Sequence, residues 1–331
     1  MATSTEPLVQ PPSTGGYRPG GVELLAGAAI ALVLLQPLLV QWFDAPGLQA
    51  ATTIFVAIVL QALPFLVLGV VLSAVIAAYV PESFWRRALP RRPGLAVPVA
   101  GCAGAIVPGC ECASVPVSGS LMSRGVAPAA ALAFLLSSPA INPVVIVSTW
   151  VAFPGNPQMA LARFAASLLT ALAMGWLWLR FGKGEWLRIP SRRHAADASK
   201  FTVFRTSASH DFLHAGGFLV IGAMAAAILN VVVPREWLET LADNPLLSVV
   251  ALGLLAVLLS ICSEADAFVA ASLSEFGPTA LLAFMVVGPM VDLKLIALQA
   301  GTFGRRFAAR FAPTTFVVAI LMSVGIGAVV L

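Results

Sequence analysis

Ionisable side chains are scarce in this 331-residue chain. It carries 15 acidic and 19 basic residues, so charged residues are 10% of the total; a soluble domain holds about 25%. With 59% hydrophobic residues and a mean hydropathy of +0.94, it lacks the polar groups to cover a water-facing surface. A lipid bilayer is the solvent that fits. Cysteine is also sparse: Cys102, Cys110, Cys112 and Cys262. All four sit in apolar stretches, and Cys110 and Cys112 are too close for an ordinary bridge, so all read as free thiols. No Walker A loop, HExxH, GxSxG or dinucleotide fingerprint is present. Their absence argues against ATP-driven transport by this chain alone and against an enzyme, and it implies no cofactor. The net charge of +4 comes as short basic blocks between apolar segments, a pattern of membrane topology rather than of nucleic-acid binding.

What is present is a series of apolar segments, near 21–43, 51–80, 95–122, 126–152, 157–181, 210–233, 245–274, 277–300 and 310–331. Most reach the ~20 residues of a spanning helix. The polar stretch 1–20 reads as a disordered tail and 21–50 as an extra N-terminal helix with its loop. Two segments do not read as clean helices. Pro98, Pro108 and Pro116 interrupt 95–122, and Cys262-Ser263-Glu264-Ala265-Asp266 falls within 245–274. Each reads as a broken helix or re-entrant hairpin, which protein or water must surround. With both as hairpins and a cytoplasmic N-terminus, Arg86, Arg87, Arg91, Arg92, Arg124, the basic loop 183–209 and Arg305, Arg306 and Arg310 all fall inside, as positive charge requires. Arg163 and Lys294 fall within segments.

The chain also repeats itself. Phe65, Gly69 and Pro81 recur as Phe218, Gly222 and Pro234 at a spacing of 153, which also pairs Glu111 with Glu264. At a spacing of 150, Leu132-Ala133-Phe134 matches Leu282-Ala283-Phe284, Pro139 matches Pro289, and Asn142 matches Asp292. The expected fold is therefore an all-α membrane protein of two inverted-topology repeats, 51–182 and 210–331, with about 7–9 transmembrane segments.

Three clusters carry candidate chemistry. In the first, Cys110 and Cys112 flank Glu111 at a helix break; thiolates select soft, thiophilic species, and a membrane carboxylate needs a partner, water or a proton. Plain packing is the alternative for cysteine. In the second, Cys262, Glu264 and Asp266 duplicate the first, with Glu111 and Glu264 expected to face each other as a cation or proton site; interfacial, solvated acids are the alternative. In the third, Pro139 and Asn142 match Pro289 and Asp292, where freed carbonyls would contact a solute; a structural kink is the alternative. Asp292 and Lys294, two apart, do not share a helix face and need not pair. His210 and His214 share a face that suits a metal, but their place beside the basic loop reads as an interfacial pair.

The run Pro108 to Pro116, with Ser120-Leu121, Gly125, Pro128, Ala133-Phe134-Leu135, Pro139 and Asn142-Pro143, resembles the YraQ-like predicted permeases, which include the ArsP organoarsenical efflux permeases. In the second half, Cys262-Ser263, Asp266-Ala267-Phe268, Ala270-Ala271-Ser272, Gly288-Pro289 and Asp292 look like the family's second-repeat motif. The resemblance spans about 50–310. It implies a bacterial inner-membrane permease and, for ArsP-like members, export of trivalent organoarsenicals bound by thiols, with Cys110 and Cys112 at those positions. Glu111 stands where the family more often has a small residue, and Gly109 where a bulkier one is usual. The expectation is a secondary transporter, coupled to protons, with a small solute and the bilayer as partners and room for a homo-oligomer. A membrane thiol oxidoreductase, or an uptake permease or membrane subunit for another small solute, is the alternative.

Overall fold

The computed structural model describes residues 46–81, 84, 89, 90, 92–106, 111–189, 199–232, 245–273 and 275–331. The expected tail and the segment 21–43 lie outside them, as do Cys110 and the Pro108-Gly109 break. The chain divides into a unit ending at Gln49 and a unit of Ala50–Leu331.

Among the described residues the regular structure is helical. The α-helices are α1 (Pro46–Tyr79), α2 (Pro93–Ala103), α3 (Glu111–Ser123), α4 (Pro128–Ala140), α5 (Pro143–Ala152) and α6 (Pro157–Phe181). A short 3-10 turn at Gly184–Trp186 leads to α7 (Lys200–Val232), α8 (Pro245–Leu259), α9 (Asp266–Ser272), α10 (Pro278–Val287), α11 (Leu293–Phe303) and α12 (Arg305–Val330). Among the described residues, five stretches are long and apolar enough to cross a membrane, counting α4 and α5 as one, and shorter apolar helices lie between them. The chain is an all-α, multi-pass membrane protein.

Proline places many of the helix starts. Pro93, Pro128, Pro143, Pro157 and Pro278 each stand in the first turn of a helix, where a missing N–H costs nothing. The residue before a proline is pushed out of the helical region. Arg92, Ala127, Asn142 and Gly277 accordingly have ψ of 116°, 132°, 156° and 154°. Hence 126–152 is not one helix but two, parted at Ile141-Asn142, and 277–300 is likewise parted around Gly288–Asp292. The two segments expected to break, 95–122 and 245–274, each comprise two helices. One expectation gives way: α7 begins at Lys200, so 200–209 is helix rather than loop.

The six described helices of the first half recur in order in the second. α4 and α10, 150 residues apart, are apolar on every side and buried over nearly their whole length, as central helices must be. α2 packs on α4 as α8 does on α10, and α4 on α6 as α10 on α12. Between the halves, α6 packs on α12, α3 on α11 and α5 on α9. Exchanging the halves turns the α3–α11 contact into the α5–α9 contact. α1 and α7 lie against the short helices through matched glycines. A Cβ on Gly69 would sit 2.4 Å from the Ala113 Cα, and one on Gly222 2.7 Å from the Lys294 Cα.

Candidate functional site

The broken helices converge on a buried polar cluster. Glu111 opens α3 and Asp266 opens α9, positions where the partial positive charge of a helix N-terminus favours a carboxylate. Asn142 and Asp292 are the N-caps of α5 and α11. The Asn142 Oδ1 accepts from the Val145 N–H at 3.0 Å, and the Asp292 Oδ1 from the Leu295 N–H at 2.6 Å. The same cap thus recurs 150 residues on, with the same register of bond.

Two cations from opposite halves meet these acids. The Lys294 Nζ donates to the Glu111 Oε1 at 2.9 Å and lies 3.3 Å from the Asp292 Oδ2. All three side chains are buried. Lys294 stands in the first turn of α11, where the helix dipole opposes a positive charge; the two carboxylates offset that. The expectation that Asp292 and Lys294 need not pair is overturned. Asp292 is a cap with φ of −140° and ψ of 170°, so the helical spacing rule does not govern it. The second cation, Arg163 on α6, donates through Nη2 to the Asp266 Oδ2 at 2.8 Å and to the Ser263 carbonyl at 3.2 Å. Its Nη1 donates to the Thr149 Oγ1 at 2.7 Å. Neither Lys294 nor Arg163 was singled out from the sequence as a site residue. The available signal was a lone cation inside an apolar segment, which membrane energetics marks as paired.

The thiols divide. The Cys262 Sγ lies 3.9 Å from the Glu111 Oε1, and both Cys262 and Cys112 are buried, unbridged and close enough to Lys294 to act on its charge. Cys102 is exposed on α2 rather than packed inside. Glu264 is half-buried, within electrostatic reach of Glu111, Arg163 and Lys294. Glu111 itself is turned to Lys294. Pro139 is buried near the end of α4, and Pro289 lies in the break between α10 and α11. Several buried polar atoms have no hydrogen-bond partner among the described residues: the Glu111 Oε2, Asp266 Oδ1, Ser263 Oγ and Gln299 Oε1. Such atoms are costly in a protein interior, and they surround the breaks where a solute or water would satisfy them. No group of three His, Cys, Asp or Glu side chains is placed to hold a metal among the described residues. His210 and His214 stack at 5.7 Å, with Asp211 bonded to the Ser73 hydroxyl of α1 at 2.8 Å.

Ser260 adds an element that the sequence did not suggest. Its φ of 49° ends α8, a conformation unfavourable outside glycine. Its hydroxyl donates to the Val257 carbonyl and accepts from the Leu293 N–H at 3.2 Å. The bond fixes the end of α8 to the start of the helix that bears Lys294.

The chain is similar to two curated proteins along most of their length. One is the UPF0718 protein YcgR of Bacillus subtilis (strain 168), 34% identical over 278 residues, covering 82% of this chain and 94% of that protein. The other is a protein of Streptococcus mutans serotype c (strain ATCC 700610 / UA159) named as a putative two-component membrane permease complex subunit. It is 31% identical over 283 residues, covering 83% and 94%. No solved structure matches. A family model described as a predicted permease matches residues 47–328, a span that holds every charged group of the buried cluster; the chain belongs to this permease family.

Proposed function

We propose that the chain is a secondary transporter that exports a small thiophilic solute, such as a trivalent organoarsenical, through the buried cluster around Lys294. The observation that carries the reading is the Glu111–Lys294 ion pair, joined across the two halves and bordered by the thiols Cys112 and Cys262. A membrane-depth charge pair marks a solute or ion path more often than a structural tie, and the soft ligand beside it selects the class of solute. Binding of a dihydroxy methylarsenical by two thiols exchanges two As–O bonds for two As–S bonds. The two thiol protons leave with the hydroxides as two waters, and the arsenic adduct is neutral. Glu264 carries the coupling proton.

In this reading the halves 51–182 and 210–331 are inverted repeats that rock about the cluster. The protein lies in the bacterial inner membrane, with its N-terminus and the basic residues of 183–209 in the cytoplasm. The name of the streptococcal relative supports a second reading, in which the chain works as one subunit beside a partner membrane protein. A stoichiometric second protein retained through purification in mild detergent favours that arrangement.

The deciding experiment is cellular accumulation of trivalent methylarsenical with and without the protein, beside Cys110→Ser, Cys112→Ser and Cys262→Ser variants at equal expression. Lower accumulation that is lost with Cys112 or Cys262 supports the assignment. Unchanged accumulation by the wild-type protein removes arsenicals as the solute. Proton-driven flux that persists undiminished in Glu264→Gln removes Glu264 from the coupling path.

A further inference from the structure

A second feature stands apart from the buried cluster. Where α6 ends and α12 begins, a crevice of about 270 Å³ opens. Its floor is apolar, with Met174, Leu177, Phe181 and Phe311, and its rim carries Trp186 and Arg310. The crevice is rigidly built. Trp178 stands edge-on to Phe307 at 5.5 Å, and Phe307 stacks on Phe311 at 4.7 Å. A Cβ on Gly182 would lie 2.4 Å from the Trp178 carbonyl oxygen, so the turn closes against that tryptophan only with glycine. The Arg188 N–H donates to the Phe303 carbonyl at 2.9 Å, which ties the 3-10 turn to the end of α11.

The rim is positively charged among the described residues. The Arg310 guanidinium lies over the Trp186 ring at 4.3 Å from its centroid, and the Lys183 ammonium at 5.7 Å. Arg180, Arg188, Arg305 and Arg306 stand exposed nearby, against one acid, Glu185. None of these six cations forms an ion pair among the described residues. α12 also begins at Gly304 with no side-chain cap, so its first N–H groups add to the positive field. Large apolar side chains at the same end, Trp176 and Phe181, are 46% and 63% exposed and have lipid as their neighbour in a bilayer.

We infer that this crevice binds an anionic phospholipid, with an acyl chain along the apolar floor and the headgroup phosphate held by Arg310 and Lys183. An arginine fork suits a phosphate, tryptophans sit at headgroup depth, and basic pockets between spanning helices attract anionic headgroups. The floor decides for a lipid over a free anion, because it is apolar and Phe181, which lines it, is also exposed at the end of α6.

The test uses the full chain purified in mild detergent and given equal amounts of phosphatidylglycerol and phosphatidylcholine with identical acyl chains. Native mass spectrometry should show preferential retention of phosphatidylglycerol. In Arg310→Ala that preference falls about fivefold, whereas Arg205→Ala, an exposed cation on α7, leaves it unchanged. In the wild-type chain, phosphatidylglycerol with brominated acyl chains should quench tryptophan fluorescence more than its phosphatidylcholine counterpart. Equal retention of the two lipids overturns the inference. So does a preference untouched in Arg310→Ala/Lys183→Ala, displacement of the lipid by excess inorganic phosphate, or a second protein subunit occupying the rim. The result is independent of solute transport.

Discussion

An ammonium in the first turn of a membrane-buried helix is held against the helix's own field, and what holds Lys294 there is a pair of acids. Removing one member of a buried ion pair leaves the other charge stranded, at about 3–5 kcal/mol. Glu111→Gln and Lys294→Met should each lower resistance to thermal unfolding in detergent by about that much. The double variant should lose clearly less than the two losses added, and full additivity would show that the two groups do not act as a pair. Glycine gives a second residue-scale expectation. Gly69→Val and Gly222→Val place side chains where Ala113 and Lys294 backbone atoms already lie, so folded yield should collapse. Gly217→Ala, with nothing within 4 Å, should be neutral or gain up to about 1 kcal/mol in helix propensity. At this scale the sequence was partly legible. A carboxylate between two cysteines announces itself locally. Lys294 and Arg163 find their partners 183 and 103 residues away, and no local pattern encodes such a pairing.

At the scale of elements, the caps of α5 and α11 separate two roles that one side chain combines. Asn142 caps and donates through Nδ2 to the Ser138 carbonyl at 3.2 Å, while Asp292 caps and faces Lys294. Asp292→Asn should keep the bond to the Leu295 N–H and remove the charge, whereas Asp292→Ala loses both. The alanine variant should therefore be less stable by about 1 kcal/mol than the asparagine variant, read from their melting curves in the same detergent. Asn142→Ala should lose the cap and the bond to the Ser138 carbonyl. Much of this level was readable in the sequence. The prolines at 98, 108 and 116 and the acid-rich run after Cys262 announced two broken segments, and the matched Pro139-Asn142 and Pro289-Asp292 positions announced the other two as kinks. What the sequence hid was that those kinks part the helices fully. The Ser260 turn was hidden as well, since a serine in left-handed geometry leaves no compositional trace. The early start of α7 at Lys200 escaped for a related reason: polarity was read as loop, though lysine and arginine are good helix formers.

At the scale of the molecule, the two halves are alike in element order and in caps but not in charge. At a spacing of 150, the place of Lys294 in the first half is taken by Val144, and that of Arg163 in the second half by Pro313. At 153, the place of Asp266 is taken by Ala113. Each half thus presents an acid that only the other half can answer. Two copies of the first half, laid together in the same way, would set Glu111 opposite Val144; two copies of the second would leave Asp266 without its guanidinium. The duplication has become a lock and key, and a gene cut between residues 190 and 198 should work only when both products are made in one cell. Co-expressed fragments should co-purify and restore whatever flux the intact chain supports. Either fragment alone should accumulate poorly, and a fragment with itself should form no stable pair. An arrangement of two identical subunits is closed to this sequence, because the five charges buried among the described residues are divided so that neither half can stand as its own partner.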